Sequence, residues 1–168
     1  MTEFIGAFEK ISDLPVCGGN EFAFIGRSNV GKSSLINAIV GESIARTSNA
    51  PGRTRTMNLF DWNGVMLMDL PGYGYAKTSK SDRMRWLRRL EEYLLAGRAR
   101  LLLMLIDSRR AVTGADQDVI DFCNKEKIPY KMVATKCDKK DALKISGAIM
   151  TSAEKKTGIE EVRKCFAS

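Results

Sequence analysis

Gly26-Arg-Ser-Asn-Val-Gly-Lys-Ser33 is the stretch on which the fold turns. It fits G-x-x-x-x-G-K-[ST], and its flanks give the pattern a mechanism. Before it, Glu21–Gly26 (EFAFIG) reads as a strand; after it, Gly31–Val40 reads as a helix opening directly from a glycine-rich turn. Such a turn lets successive backbone N–H groups of Arg27, Ser28, Asn29, Val30 and Gly31 converge on phosphate oxygens. The helix brings the positive end of its dipole to the same point. Lys32 is placed to bridge the β- and γ-phosphates, and the Ser33 hydroxyl to ligate magnesium, with Ser34 beside it in the first turn. The rival reading, an ordinary strand–turn–helix corner, does not account for this arrangement of Gly, Lys and Ser between those flanks.

Working outward, Arg46–Thr56 lacks apolar periodicity and carries Ser, Asn, Pro and Gly, the composition of a loop. Met57–Trp62 and Val65–Leu70 read as strands joined at Asn63-Gly64, a strong hairpin pattern. A glycine-rich loop, Pro71–Ala76, leads to a helix that begins near Ser79 or Ser81 and ends at Gly97. Leu101–Asp107 is a continuous apolar run ending in Asp, as in a strand buried on both faces. A helix over Asp116–Lys127, a strand at Tyr130–Thr135, a short strand within Gly147–Thr151 and a closing helix over Gly158–Phe166 complete the order. Strands alternating with helices argue for a doubly wound, mainly parallel sheet, to which the hairpin adds one antiparallel strand at an edge. Residues 1–168 read as one domain, with 1–20 an N-terminal extension.

Two further segments address the nucleotide. Val65–Met68 runs into Asp69-Leu-Pro-Gly72, where Asp69 can hold magnesium through water and the Gly72 N–H can meet the γ-phosphate. ATPases and GTPases share that feature, so it leaves the base open. Thr135-Lys-Cys-Asp138 decides it, resembling the [NT]-K-x-D guanine motif. The Asp138 carboxylate can accept from both guanine N1–H and the 2-amino group, whereas adenine offers neither donor. Leaving a buried acceptor unpaired discriminates strongly. The aliphatic stem of Lys136 would lie along the base plane. Thr151-Ser-Ala153 resembles the loop whose backbone amide contacts guanine O6.

Composition narrows the chemistry. The 168-residue chain has no His, which excludes Ser-His and Cys-His nucleophilic catalysis and any His general base. Cys17, Cys123, Cys137 and Cys165 show no C-x-x-C spacing, so they read as reduced thiols rather than zinc ligands. No apolar run approaches the ~18–20 residues that span a bilayer, and MTEFIGAFEK lacks the pattern of a secretory signal. A cytoplasmic protein without membrane attachment is expected. The net charge of +7 points to a polyanionic partner, nucleic acid being the commonest.

GRSNVGKSSLINAI (Gly26–Ile39), PGRTRTMN (Pro51–Asn58) and DLPGYGYAK (Asp69–Lys77) together resemble EngB, a family of GTPases acting in large ribosomal subunit assembly. GRSNVGKSSLIN is shared with Era-like and TrmE-like GTPases, and DLPGYGYA is the more specific marker. The resemblance covers the chain from about Glu21 to its end. It implies an α/β, Ras-like P-loop GTPase fold: three layers and a six-stranded, mostly parallel sheet with one antiparallel edge strand.

Carried over by position, Thr54 is the switch threonine that ligates magnesium when GTP is bound, with Gly52 and Arg53 beside it. Pro71–Ala76 is the second switch. Tyr73 stands where Ras-like proteins carry the water-orienting Gln, so intrinsic hydrolysis is expected to be slow. A potassium ion held partly by Asn29 is one candidate source of the missing positive charge; Arg53 and Arg55 are another. Lys32, Thr54, Gly72 and Asn29 are thus the expected catalytic set. The chain departs from the family in one place: only residues 139–150 separate Asp138 from Thr151, so the helix before the last strand is expected to be shortened or absent.

The helix after the second switch carries Arg83, Arg85, Arg88 and Arg89, with Lys77 and Lys80 before it. At ~100° per residue, Met84, Leu87, Leu90, Tyr93 and Leu94 form an apolar arc opposite Arg85, Arg88 and Arg89. That face, extended by Arg109 and Arg110, suits ribosomal RNA backbone. Trp86 reads as a partly buried aromatic. The expected partner is a large-subunit precursor, its RNA and proteins, engaged by a monomer carrying GTP or GDP with Mg2+. An ATP-using P-loop enzyme and an assembly module with vestigial hydrolysis remain the alternatives.

Overall fold

The computed structural model describes residues 1–46, 56–74 and 79–167. Its strands are β1 (Thr2–Phe8), β2 (Glu21–Gly26), β3 (Met57–Trp62), β4 (Val65–Asp69), β5 (Ala99–Asp107), β6 (Tyr130–Thr135) and β7 (Ile149–Met150). Helices α1 (Lys32–Val40), α2 (Lys80–Leu95), α3 (Gly114–Glu126) and α4 (Ile159–Lys164) alternate with them. All the strands join one seven-stranded sheet in the order β1-β3-β4-β2-β5-β6-β7. From β4 to β7 every neighbour is parallel, while β3 runs antiparallel to both β4 and β1.

The sheet corrects the expected count of six strands, because residues within 1–20 supply a seventh. The antiparallel strand is therefore interior, and β1 forms the edge. The sequence hides β1 because TEFIGAF alternates poorly and bulges between Phe4 and Gly6. Local rules hold elsewhere. Asn63 (φ 52°) and Gly64 (φ 86°) both take the left-handed conformation that a two-residue I′ hairpin requires. The Ser79 hydroxyl caps α2 by accepting from Asp82 N, and Thr113 and Asp116 form a reciprocal capping box on α3.

Alternating strand residues feed two cores. Phe22, Phe24, Leu103, Leu105 and Val133 pack with α1 and α4; Ala23, Ile25, Leu102 and Met104 pack with α2 and α3. Burying each large apolar side chain contributes ~1.5–3 kcal/mol, which fixes register and keeps the carboxyl ends of β2, β4, β5 and β6 level. Of the apolar arc on α2, Leu90, Tyr93 and Leu94 are buried, whereas Met84 and Leu87 are exposed. At the opposite end of β2, fully buried Glu21 accepts from Tyr93 Oη and from Arg98 Nη2 at 2.9 Å. Residues 136–148 contain turns and irregular chain, so the helix expected to be shortened or absent is absent. No helix among the described residues is long and apolar enough to cross a membrane.

Candidate functional site

The carboxyl ends of β2, β4 and β6 bring the three sequence motifs together. Arg27–Lys32 curves from β2 into α1, whose first residue is Lys32. Lys32 Nζ donates to Asp69 Oδ1 and to the Leu70 carbonyl. The lysine expected at the phosphates and the carboxylate expected beside magnesium thus hold each other. Ser33 is half-buried and Ser34 exposed in the first turn of α1, and Asn29 is exposed on the loop before it. Thr54, with Gly52, Arg53 and Arg55, lies outside the described residues, as does Lys77.

The start of the second switch lies along the phosphate loop. Ser28 N donates to the Tyr73 carbonyl at 2.8 Å, and Tyr73 N to the Gly26 carbonyl at 3.2 Å. Gly72 makes this approach feasible: a Cβ there would sit 3.2 Å from Gly26 O and 3.4 Å from Ser28 N. Tyr73 is buried, its ring centroid 5.1 Å from that of Trp86 and its hydroxyl donating to Asp116. Burial first, and the Asp116 carboxylate second, push the Tyr73 pKa far up, so the phenol stays protonated. Trp86 Nε1 donates to the Pro71 carbonyl at 2.9 Å, fixing the other side of the segment. Tyr73 is therefore a structural latch in this conformation, a role that its position in the motif alone does not reveal. The Nε of Arg27 is buried without a hydrogen-bond partner among the described residues.

The guanine end is bonded differently. Thr135 Oγ1 donates to the Val30 carbonyl at 2.6 Å, and Lys136 Nζ to the Asn29 carbonyl at 2.8 Å. Cys137 N donates to the Thr151 carbonyl at 2.9 Å, and Thr151 N to the Ala134 carbonyl at 2.7 Å, joining the Thr135–Asp138 and Thr151–Ala153 loops. Thr151 and Ser152 are fully buried and Ala153 partly so. The Ser152 hydrogen bond, with help from Lys139 3.7 Å away, holds Asp138 below the usual carboxylate range despite some burial. Asp138 is thus held as an anion, the form that the guanine reading of the motif requires.

Two arginines behave differently from the sequence expectation. Arg109 makes a bidentate pair with Asp107, Nε to Oδ1 at 3.1 Å and Nη2 to Oδ2 at 2.9 Å. Arg89 donates to the Glu9 carbonyl. Arg83, Arg85 and Arg88 are exposed on α2. Among the described residues no group of three or more His, Cys, Asp or Glu side chains could hold a metal.

The family described as 50S ribosome-binding GTPase matches residues 21–136, spanning Gly26–Ser33 and Asp69–Gly72 and ending within Thr135–Asp138. A probable GTP-binding protein EngB of Rhizobium johnstonii is 39% identical over 195 residues, covering 98% of this chain and 89% of its own. The chain belongs to the EngB family of GTP-binding proteins. As an EngB protein it is a GTPase that binds GTP and GDP. The alignment with the Rhizobium relative is longer than the 168-residue chain, so that EngB carries residues with no counterpart here. The helix-free stretch after Asp138 is where the sequence places such a deficit. The crystal structure of a probable engB aligns with TM-score 0.70 at 23% identity, over 86% of this chain and 95% of that one. Era in complex with MgGDPNP and 16S ribosomal RNA nucleotides aligns with TM-score 0.68 at 22% identity, over 87% of this chain and 55% of that one. Both likenesses establish the fold that EngB shares.

Proposed function

We propose that this chain, as one G domain over residues 1–168, is a GTP-hydrolysing switch whose GTP form engages an assembling large ribosomal subunit in the cytoplasm. The observation that carries the reading is the pairing of Ser28 N with the Tyr73 carbonyl. An amide that would otherwise face phosphate is taken by the second switch, so a third phosphate and this closure compete for one place. Opening the segment Pro71–Gly74 turns the presence of that phosphate into a change of surface at the foot of α2.

The residues fit a nucleotide with magnesium. Gly26, Arg27, Ser28, Asn29, Val30, Gly31, Lys32, Ser33 and Ser34 are the proposed phosphate cradle; Gly52 and Arg53, outside the described residues, are assigned to the nucleotide from the sequence resemblance alone. Thr135, Lys136, Asp138, Thr151, Ser152 and Ala153 form the guanine pocket. Asp69 is buried with Lys32 as its cationic partner, a carboxylate that can exchange that ammonium for a hydrated ion. Ser33 and Thr54 would hold Mg2+ directly and Asp69 through water; bound there, the ion supplies charge at the β- and γ-phosphate oxygens. The Asn29 side chain is the candidate for K+. Lys32, Thr54, Gly72 and Asn29 are the proposed catalytic groups. Tyr73, with its hydroxyl committed to Asp116, cannot orient water as a Gln would, which supports slow intrinsic turnover and keeps an assembly module with vestigial hydrolysis as the second reading.

The proposed partner is ribosomal RNA with its proteins in the large-subunit precursor, engaged by a monomer. Support comes from the +7 charge, from exposed Arg83, Arg85 and Arg88, and from the matched family's description. Reversing charge at Arg85 and Arg88 together is expected to weaken association with large subunits by roughly tenfold or more and to flatten its salt dependence. Nucleotide affinity should not change. Cosedimentation across a salt series checks this; unchanged association would make the α2 face merely solvated.

A further inference from the structure

We propose that Asp107 is a positioning residue for nucleotide binding: it fixes the Lys136 ammonium so that Lys136 can clamp the phosphate loop at Asn29 while its stem lies along the guanine. The inference rests on the reading of Thr135–Asp138 as the guanine motif and adds a residue outside every motif named above.

Asp107 ends β5, the strand paired with β6, and its register partner there is Thr135, next to Lys136. The carboxylate is almost fully enclosed at 9% exposure. One oxygen, Oδ1, has a local explanation, because it accepts from Arg109 N at 3.0 Å and Arg109 Nε at 3.1 Å in a tight turn. The other does not. Oδ2 accepts from Arg109 Nη2 at 2.9 Å and also, at 3.3 Å, from Nζ of Lys136, a residue just beyond the end of β6. That same ammonium donates to the Asn29 carbonyl at 2.8 Å. A relay of charge-assisted bonds therefore runs Arg109 to Asp107 to Lys136 to the phosphate loop.

Lys136 needs such a holder. Its backbone is left-handed, at φ 60°, an uncommon conformation for a residue with a long side chain. A lysine ammonium on a flexible stem samples many rotamers unless its donors are committed. The carbonyl of Asn29 alone offers one acceptor on an exposed loop residue. Asp107 supplies a second acceptor with full negative charge, built on a central strand. Burial works against that charge, and Arg109 and Lys136 outweigh it, holding the carboxyl at about 2. The anion is present at every physiological pH. Arg109 thus serves the nucleotide site by orienting Asp107 and is not available as a free cation for a polyanion.

The test is a double-mutant cycle read with fluorescent GDP. Asp107→Ala is expected to raise the Kd for GDP about tenfold, the size of one charge-assisted bond. GTP should lose the same factor, with KM raised and kcat unchanged, because the clamp acts alike in both states. Lys136→Ala should lose at least as much, and the double variant should match Lys136→Ala alone. Should Asp107→Ala fail to fold, Asp107→Asn, which keeps the shape without the charge, carries the same comparison with a smaller shift. Additive losses, or no loss at Asp107, overturn the proposal while leaving the guanine reading intact. No loss at Lys136 overturns both.

Discussion

The two ends of the nucleotide groove are built on opposite plans. At the guanine end the chain's own bonds prepare the site: Thr135 and Lys136 hold the Val30 and Asn29 carbonyls, and Asp138 keeps its charge. At the phosphate end the groups that a nucleotide needs are spent on one another. Lys32 is bound to Asp69 and Leu70, and Ser28 N to Tyr73. The difference separates two tasks. Reading the base has to be constant, and a rigid frame avoids an ordering cost at binding. Sensing the third phosphate has to be conditional, and it requires a resting arrangement that the phosphate displaces.

The largest expected effect breaks the preset end. Asp138→Asn should cost ~10²–10³-fold in GTP affinity and move preference toward xanthosine triphosphate, with Lys32 and Ser28 untouched. A competition assay among GTP, xanthosine triphosphate and ATP checks it, and an unchanged base preference would remove Asp138 from the guanine pocket.

A smaller effect separates the ends. Tyr73→Phe keeps the ring against Trp86 but deletes the donor to buried Asp116, one of whose oxygens then loses its tyrosine partner. That should lower the stability of the nucleotide-free protein by ~1–2 kcal/mol. Because only the closed arrangement is weakened, GTP affinity should rise several-fold while GDP affinity stays put, up to the tenfold that ~1.4 kcal/mol allows. A melting curve with GTP and GDP titrations shows both. Equal gains for the two nucleotides would mean that the latch does not distinguish them.

The smallest effect is a predicted flatness. Asp107 and Asp138 both have folded-state pKa values below the ordinary carboxylate value, about 3.9 in an unfolded chain. Their contribution is fully present above that value and is lost as pH falls through the folded-state values, toward about 2 for Asp107. With no His in the chain, the ratio of GDP to ADP affinity should be constant between about pH 5 and 8. Phosphate titration cancels in that ratio, so a midpoint within the range would assign base reading to another group.

Much of this was legible in the sequence where local chemistry decides structure. The Gly26–Ser33 loop, the Asn63-Gly64 hairpin and the Ser79 cap follow from backbone rules that act over a few residues. The loss of the helix after Asp138 followed from the short 139–150 spacing set against the pattern of the family that the chain resembles. Tertiary competition hid the rest. β1 pairs with β3 across the whole stretch from residue 9 to residue 56 and has no strong period of its own. Lys32 and Asp69 are each expected from their motifs to face the nucleotide, yet no motif says that they pair with each other. Arg109 and Arg89 looked like free surface charge because their partners, Asp107 and the Glu9 carbonyl, are set by turn geometry and by a distant strand connection.

The most direct measurement is displacement of fluorescent GDP by GTP and by ATP, with magnesium present, from the purified chain. A preset guanine end predicts displacement by GTP at least ~100-fold more effective than by ATP. Equal displacement by the two nucleotides would contradict it, and the groove would then bind nucleoside phosphates without reading the base.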